Sequence, residues 1–369
     1  MKILHLSFFS PLPMHNGSQV REYSLVEPLL QENEVSLISF QEAIDQESVN
    51  ALNALYSSVE LLPLPRPKRG SVISELLRAA NHIFSMRPPV SVDHFSTDME
   101  QLVRRVCETD TFDVVYVDLV WMLEYLPNDL NLKTIVILNT HNAEYRALES
   151  FASGPSTSLF SIVSKAYFLF SSLKMKRYER LLLQKVNRVL AVSDDDKESL
   201  QLITNKPVDV IPNAVKVLPY TRSEESIQPH SIVFVGSMSY KPNVEAVVWF
   251  SKTVLPILQE TYPHVVFTIV GANPDPEVKS LQRKHVIVTG TVPLIQPYLD
   301  QATCFVAPLF SGGGTNMKII EAMASGIPVI STSKGLEGLA ITPGTHVIKA
   351  DNVEEFVNSV QQLFADRDR

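Results

Sequence analysis

The stretch Ala307-Pro308-Leu309-Phe310-Ser311-Gly312-Gly313-Gly314-Thr315-Asn316-Met317-Lys318-Ile319-Ile320-Glu321-Ala322-Met323-Ala324-Ser325-Gly326 changes character twice. A β-type run, Cys304–Ala307, ends at Pro308. Three glycines follow, and a helical pattern starts at Thr315 or Asn316. Without Cβ atoms, Gly312–Gly314 lets the chain turn tightly and bring N–H groups against a bulky anion. A helix start adds unpaired N–H donors and the positive end of its macrodipole. Lys318, one turn in, can bring a full charge to a phosphate. Glu321 lies three residues on along the same face and can accept the vicinal hydroxyls of a ribose, as the acidic residue of a dinucleotide site does. The competing reading is a glycine turn capped by Thr315, with Lys318 and Glu321 as a surface pair. Neither the P-loop pattern nor the GxGxxG fingerprint is present.

Outward from this stretch, short β-rich runs alternate with helical ones. Strands are expected at Ile232–Val235, Val265–Val270, Val286–Val288, Cys304–Ala307, Pro328–Ser331 and His346–Lys349, with a helix over Asn243–Glu260. The first half repeats the scheme, with strands at Ile3–Phe8, Val35–Phe40, Val59–Leu62, Val114–Val117, Thr134–Leu138 and Val189–Val192, and helices such as Ser18–Gln31 and Asp98–Glu108. Near-continuous apolar strands separated by helices belong to parallel sheets covered on both faces. The expected fold is therefore α/β, with two doubly wound Rossmann-like domains, 1–214 and 215–369. The seam falls in Val215–His230, where Pro219, Pro229 and charged residues break the periodicity. Pro63–Pro89, basic and proline-broken, is expected to be an irregular excursion.

With 369 residues, 45% hydrophobic and 20% charged, the chain is a globular protein too long for one ordinary core. Its net charge of −8 argues against a nucleic-acid partner. Cys107 and Cys304 lie far apart without metal-ligand spacing, which suits a reducing cytoplasm. The apolar run after Lys2 stops at Ser10-Pro11, short for a signal peptide, and no long uninterrupted apolar window suggests a spanning helix. A cytoplasmic location is expected. Asp194-Asp195-Asp196 has the look of a DxD metal motif, but after Ser193 it reads as the acidic first turn of a capped helix, and no metal site is expected.

Lys318–Ile330 (KIIEAMASGIPVI) resembles the signature helix and strand of retaining glycosyltransferases of family 4, which have the GT-B fold. Asn187–Leu200 and Val208–Val215 resemble the end of that family's first domain, and Ser231–Asn243 resembles the first strand and loop of its second. Lys334–Leu339 (KGLEGL) resembles the tail after the signature. The glycine-rich loop points to a branch associated with polysaccharide and surface-glycan assembly. The resemblance implies two domains facing across a cleft, with the donor held by the second and the acceptor by the first. Glu321 would bind the ribose of a nucleotide sugar, and the segment Thr315, Asn316, Met317 and Lys318 its diphosphate. Gly236 and Gly312–Gly314 would close on the donor, as would Gly17 with Asn16 in the N-terminal loop. No cofactor beyond the nucleotide-sugar substrate is implied. The family's second glutamate, which contacts the donor sugar, falls at Gly313, and its usual Arg and Lys fall at Ser237 and Pro242, with Lys241 next door. Lys318 then carries the phosphate charge. Lys241 is either a second phosphate ligand or a solvated loop lysine.

His141 directly follows the strand Thr134–Leu138, at the carboxyl end where doubly wound folds bind ligands, and by resemblance it is the active-site histidine facing the donor sugar. The competing reading is a satisfied structural histidine, against which its place at a strand end argues. Glu144 can orient it, bind acceptor or cap the next helix. The implied reaction is sugar transfer with retention to a glycan or lipid-linked acceptor. The alternatives are a non-catalytic nucleotide- or glycan-binding relative, a GT-B sugar-nucleotide epimerase or phosphorylase, and an NAD-dependent oxidoreductase. Ser161–Arg188 carries seven basic residues against Glu179, interleaved with aromatics. It is either a helix lying on an anionic membrane or one that buries its apolar face. The chain stops after the helical pattern Val353–Phe364, where relatives continue through a further helix, which suggests truncation or a shortened form.

Overall fold

In the computed structural model, residues 1–14, 17–41, 46–65, 72–131, 133–152, 159–215 and 222–365 are described, so Asn16 lies outside the described residues. Contacts divide the chain into two units, Met1–Pro212 and Asn213–Arg369. In the first, the order is β1 (Lys2–Ser7), α1 (Gly17–Glu32), β2 (Glu34–Gln41), α2 (Gln46–Asn53), β3 (Ser58–Pro63), α3 (Val72–Phe84), α4 (Pro89–His94), α5 (Thr97–Thr109) and β4 (Val114–Asp118). It continues through β5 (Ile135–Asn139), α6 (Glu144–Ala152), α7 (Leu159–Leu182), β6 (Arg188–Ala191), α8 (Asp194–Gln201) and β7 (Val208–Val210). All strands are parallel, in the order β3-β2-β1-β4-β5-β6-β7.

The second unit runs β8 (Ser231–Val235), α9 (Lys241–Trp249), α10 (Leu255–Thr261), β9 (Val266–Val270), α11 (Pro276–Lys279), β10 (Val286–Val288), α12 (Gln296–Gln301) and β11 (Cys304–Ala307). It ends with α13 (Met317–Ala324), β12 (Val329–Ser331), β13 (Ile348–Lys349) and α14 (Val353–Ala365). Its parallel sheet has the order β10-β9-β8-β11-β12-β13. Alternation along β8 shows why the strand is apolar from Ile232 onward. Ile232 and Phe234 pack with Phe250, Phe267 and Phe356 on one face, while Val233 and Val235 pack with Phe305, Ile319 and Leu336 on the other. Each such burial contributes about 1.5–3 kcal/mol.

Both sheets reverse their winding once, between β1 and β4 and between β8 and β11. At such a point the loops leaving the two strands diverge and open a crevice at the carboxyl edge. Three expectations change. Pro63–Pro89 is not irregular throughout, because its prolines stand at the two ends and the proline-free run between them forms α3. The helix expected over Asn243–Glu260 is interrupted by a π turn at Phe250–Val254, two residues ahead of Pro256, which lacks the N–H a regular helix would use. Three-residue β7 was not expected as a strand.

Candidate functional site

In the second unit the crevice lies between the loop after β8 and the loop after β11. Gly236 follows β8, and a Cβ there would meet Asn243 Nδ2 at 2.7 Å. Asn243, 3% exposed, donates to the Ser237 carbonyl at 2.8 Å and accepts from Lys318 Nζ at 2.5 Å. The ammonium also lies 5.1 Å from the centre of the Phe234 ring. Burial pushes the Lys318 pKa down to about 8, against the pull of Glu321. Burial likewise pushes the Glu321 carboxyl up, opposed by Lys318. A dianion placed here would restore the full charge of the lysine.

Gly312 and Gly314 adopt φ of 108° and 72°, which an L side chain resists. A Cβ on Gly312 would also stand 3.1 Å from the Tyr240 hydroxyl. Thr315 does not cap the following helix. Its hydroxyl accepts from Asn213 Nδ2, and Asn316 occupies the N-cap position without a side-chain cap bond. Instead Asn316 Nδ2 donates to the Gly335 carbonyl at 2.9 Å. Met317 opens α13 and is buried. Lys318 turns to Asn243, so the surface-pair reading does not describe it. A shallow open pocket is lined by Gly312–Gly314 with Tyr240 and Pro242 from the β8 side and Lys334 and Glu337 from the β12 side. Lys241 is outside that lining and lies 3.6 Å from Glu245.

In the first unit, Gly17 opens α1, and His141 lies just past β5, beside the switch point. Its Nε2 is 2.9 Å from Asp118 Oδ1, at the end of β4. Asn139 donates to the same carboxylate at 2.6 Å and accepts from Arg21 Nη2 at 2.9 Å. Arg21, 3% exposed, also donates to the Ile211 carbonyl at 2.7 Å. Burial works to raise the Asp118 carboxyl, but His141 and Asn139 outweigh it and hold it below its ordinary value. His141 is thus a buttressed group, and its partner is Asp118, not Glu144. Nor does Glu144 cap α6. Glu179 does so from α7, accepting the Glu144 and Tyr145 amides at 3.1 and 3.0 Å, while Asp196 accepts the Ala143 amide at 3.0 Å. Burial, then Glu179 and Asp196, push Glu144 well above the carboxylate range. Ser193 caps α8 as expected, so the aspartate run is that helix's first turn. The sequence reading missed Arg21, Asp118, Asn139, Asn243, Lys334 and Glu337. Position at a strand end was the one signal that could have found Asp118.

Two doubly wound parallel sheets in succession make up the GT-B fold, which the solved glycosyltransferase structures described below share. Residues 229–366 match the family described as Glycosyl transferases group 1. A Klebsiella pneumoniae protein described as an uncharacterized 44.6 kDa protein in the cps region is 23% identical over 97% of this chain and 90% of its own length. Anabaena HepE in complex with UDP-glucose matches with a TM-score of 0.65 at 15% identity, over 100% of this chain and 90% of its own. A point mutant of S. aureus TarM in complex with Fondaparinux, α-GlcNAc-glycerol and UDP matches at 0.66 and 10% identity, over 99% and 92%. A UDP-forming α,α-trehalose-phosphate synthase from Burkholderia vietnamiensis matches at 0.61 and 10%, over 99% and 92%.

Proposed function

We propose that the chain transfers a sugar from a nucleotide-sugar donor to a glycan or lipid-linked acceptor, with retention and without a metal ion. The observation that carries this reading is the glycine loop running into α13 at the β8/β11 switch point, with Lys318 and Glu321 on the first turns of that helix. As the bond from the anomeric carbon to the diphosphate oxygen breaks, its electron pair stays on the diphosphate. The Lys318 ammonium and the amides of the helix start supply positive charge for that leaving group, the task a metal ion performs elsewhere. The acceptor hydroxyl oxygen forms the new bond to the anomeric carbon, and its proton passes to the departing diphosphate oxygen. HepE and TarM structures contain UDP or UDP-glucose, which favours a uridine donor. Retention rests on the family resemblance. The test is turnover of a panel of UDP- and GDP-sugars by the purified protein, with and without EDTA. Release of nucleoside diphosphate that survives EDTA is expected. Binding without turnover across the panel overturns the reading in favour of a non-catalytic relative.

The same proposal includes peripheral contact with a membrane through segment 161–188. No helix among the described residues is long and apolar enough to cross a membrane. On α7, Leu169, Phe170 and Leu173 are exposed, and Arg177 and Arg180 continue the exposed stripe. Lys174 Nζ donates to the carbonyls of His82, Ile83 and Ser85 at 2.6–2.7 Å, which sets Ile83, Phe84 and Met86 beside that stripe. Phe84 is 85% exposed and Leu173 68%. The segment's lone acid, Glu179, is buried under α6, so the charge offered outward is cationic. An apolar patch rimmed by cations suits an anionic bilayer. The protein is expected to sediment with phosphatidylglycerol vesicles and not with phosphatidylcholine alone. Arg177→Gln should weaken that binding about fivefold, from ~1 kcal/mol per basic residue. Wild-type protein left in the supernatant with phosphatidylglycerol vesicles at low salt removes the membrane contact.

A further inference from the structure

The pocket beside the glycine loop presents backbone on one wall and one pair of opposite charges on another. Lys334 and Glu337 are the charged residues of its lining, and their side chains meet at 2.5 Å, 27% and 56% exposed. Both project from the turn that follows β12, and that turn is fixed. Thr332 Oγ1 donates to the Leu309 carbonyl and accepts from the Gly335 amide at 3.1 Å. A Cβ on Gly335 would stand 2.2 Å from Ser331 Oγ, so the backbone is pressed onto the sheet edge at this residue. Leu336, between the two charges, is 8% exposed in the core beneath α13. The Gly335 carbonyl is also the acceptor for Asn316 at the start of that helix. The charged turn and the glycine loop are therefore held as one unit.

Because Gly312–Gly314 have no side chains, selective recognition in this pocket falls to the side chains opposite them. We infer that Lys334 and Glu337 form the recognition pair for the sugar-phosphate end of the donor, Lys334 taking a phosphate oxygen and Glu337 accepting hydrogen bonds from the hydroxyls of the transferred sugar. The inference rests on the proposed nucleotide-sugar reading and goes beyond it by naming what distinguishes one sugar from another. The chemistry divides between the two groups. An ammonium is a point donor that follows negative charge, whereas a carboxylate is acceptor-only and matches vicinal hydroxyls. Without donor the two satisfy each other. A bound diphosphate competes for Lys334 and leaves the Glu337 oxygens for the sugar. A site that hydrogen-bonds hydroxyls rejects epimers that misplace them, since the carboxylate is then left unpaired.

The experiment compares wild type, Glu337→Gln and Lys334→Ala in titrations with UDP and GDP, and in turnover of UDP-glucose, UDP-galactose, UDP-N-acetylglucosamine and GDP-mannose. For Glu337→Gln, nucleoside-diphosphate affinity should hold or rise, and the ratio of kcat/KM between the preferred sugar and its epimer should fall at least tenfold. Lys334→Ala should weaken UDP or GDP about tenfold and leave the free nucleoside unaffected. Both side chains are partly exposed, and unchanged thermal midpoints would show that the variants fold. Wild-type nucleotide binding with the sugar preference and diphosphate affinity of both variants unchanged overturns this inference alone. Failure of the wild type to bind any of these nucleotides overturns the proposed function, and this inference with it.

Discussion

Replacing Lys318 with alanine is expected to lower kcat/KM for sugar transfer about 10²–10³-fold, the scale of a well-placed charge donor lost from a transition state. Its ammonium is held by Asn243 at 2.5 Å over the Phe234 ring, so it needs little reorganisation when charge develops on the leaving group. Glu321→Ala should cost about 10–10²-fold, the value of a hydrogen bond to a charged acceptor, and should act mainly through donor KM. The pH profile carries a further sign. With the pKa of free Lys318 pushed down to about 8, kcat/KM should fall as pH rises through about 8. In the donor complex the diphosphate raises that pKa, so the fall in kcat moves to higher pH. Stability runs the other way. Between about 8 and the ordinary 10.5 the unfolded chain binds a proton that the folded chain does not, so Lys318 contributes a rise in stability with pH across that window. Lys318→Met should abolish this rise while staying within about 1 kcal/mol of wild type at pH 7, because a lost hydrogen bond and a relieved burial cost oppose each other. Near-normal kinetics in both Lys318→Ala and Glu321→Ala would show that the site is elsewhere.

The parts of this molecule that were legible in its sequence are those whose cause is local. Strands β8 and β11 are covered on both faces, so after Ser231 every residue is apolar and the runs stand out. The glycine loop and Lys318 are contiguous, and a strand, a turn and a helix start can be read in order. Edge strand β7 offers three residues, Val208, Asp209 and Val210, too few for any period to emerge. Helix α3 is hidden in the sequence because prolines on both sides of it break the pattern around a proline-free run. What the site adds is tertiary. Asn243 reaches Lys318 across 75 residues because β8 and β11 are neighbours in the sheet. Lys334 and Glu337 reach the glycine loop because β12 lies on its other side. Glu179 caps α6 from 35 residues away. None of these separations leaves a spacing motif, since sheet order brings them together and a single sequence does not print sheet order.

Asp118 is the sharpest case of such a group, and Asp118→Ala is expected to destabilise the first unit by about 2–5 kcal/mol, the cost of leaving two buried donors without their acceptor. The carboxylate is 1% exposed and serves as acceptor for both Asn139 and His141. Removing it leaves two donors without an acceptor and the buried Arg21 without its nearby negative charge. A urea titration followed by tryptophan fluorescence reads the loss, Trp121 lying in this unit. Since the folded pKa of Asp118 is depressed, its contribution is present above the unfolded value near 3.8 and disappears as pH falls through the folded one. The deficit of the variant should therefore shrink below about pH 4. Asp118→Asn keeps the shape and separates stability from function. In the wild type the carboxylate can only accept, so Nε2 carries the proton it receives and Nδ1 faces away from Asp118. An amide that donates to Nε2 instead requires the ring proton to sit on Nδ1. The exchange is visible as a tautomer change in the imidazole nitrogen resonances, and transfer activity should fall about tenfold or more with the protein still folded. If Asp118→Asn leaves the tautomer, the stability and the rate as they were, His141 is not held by Asp118 in solution.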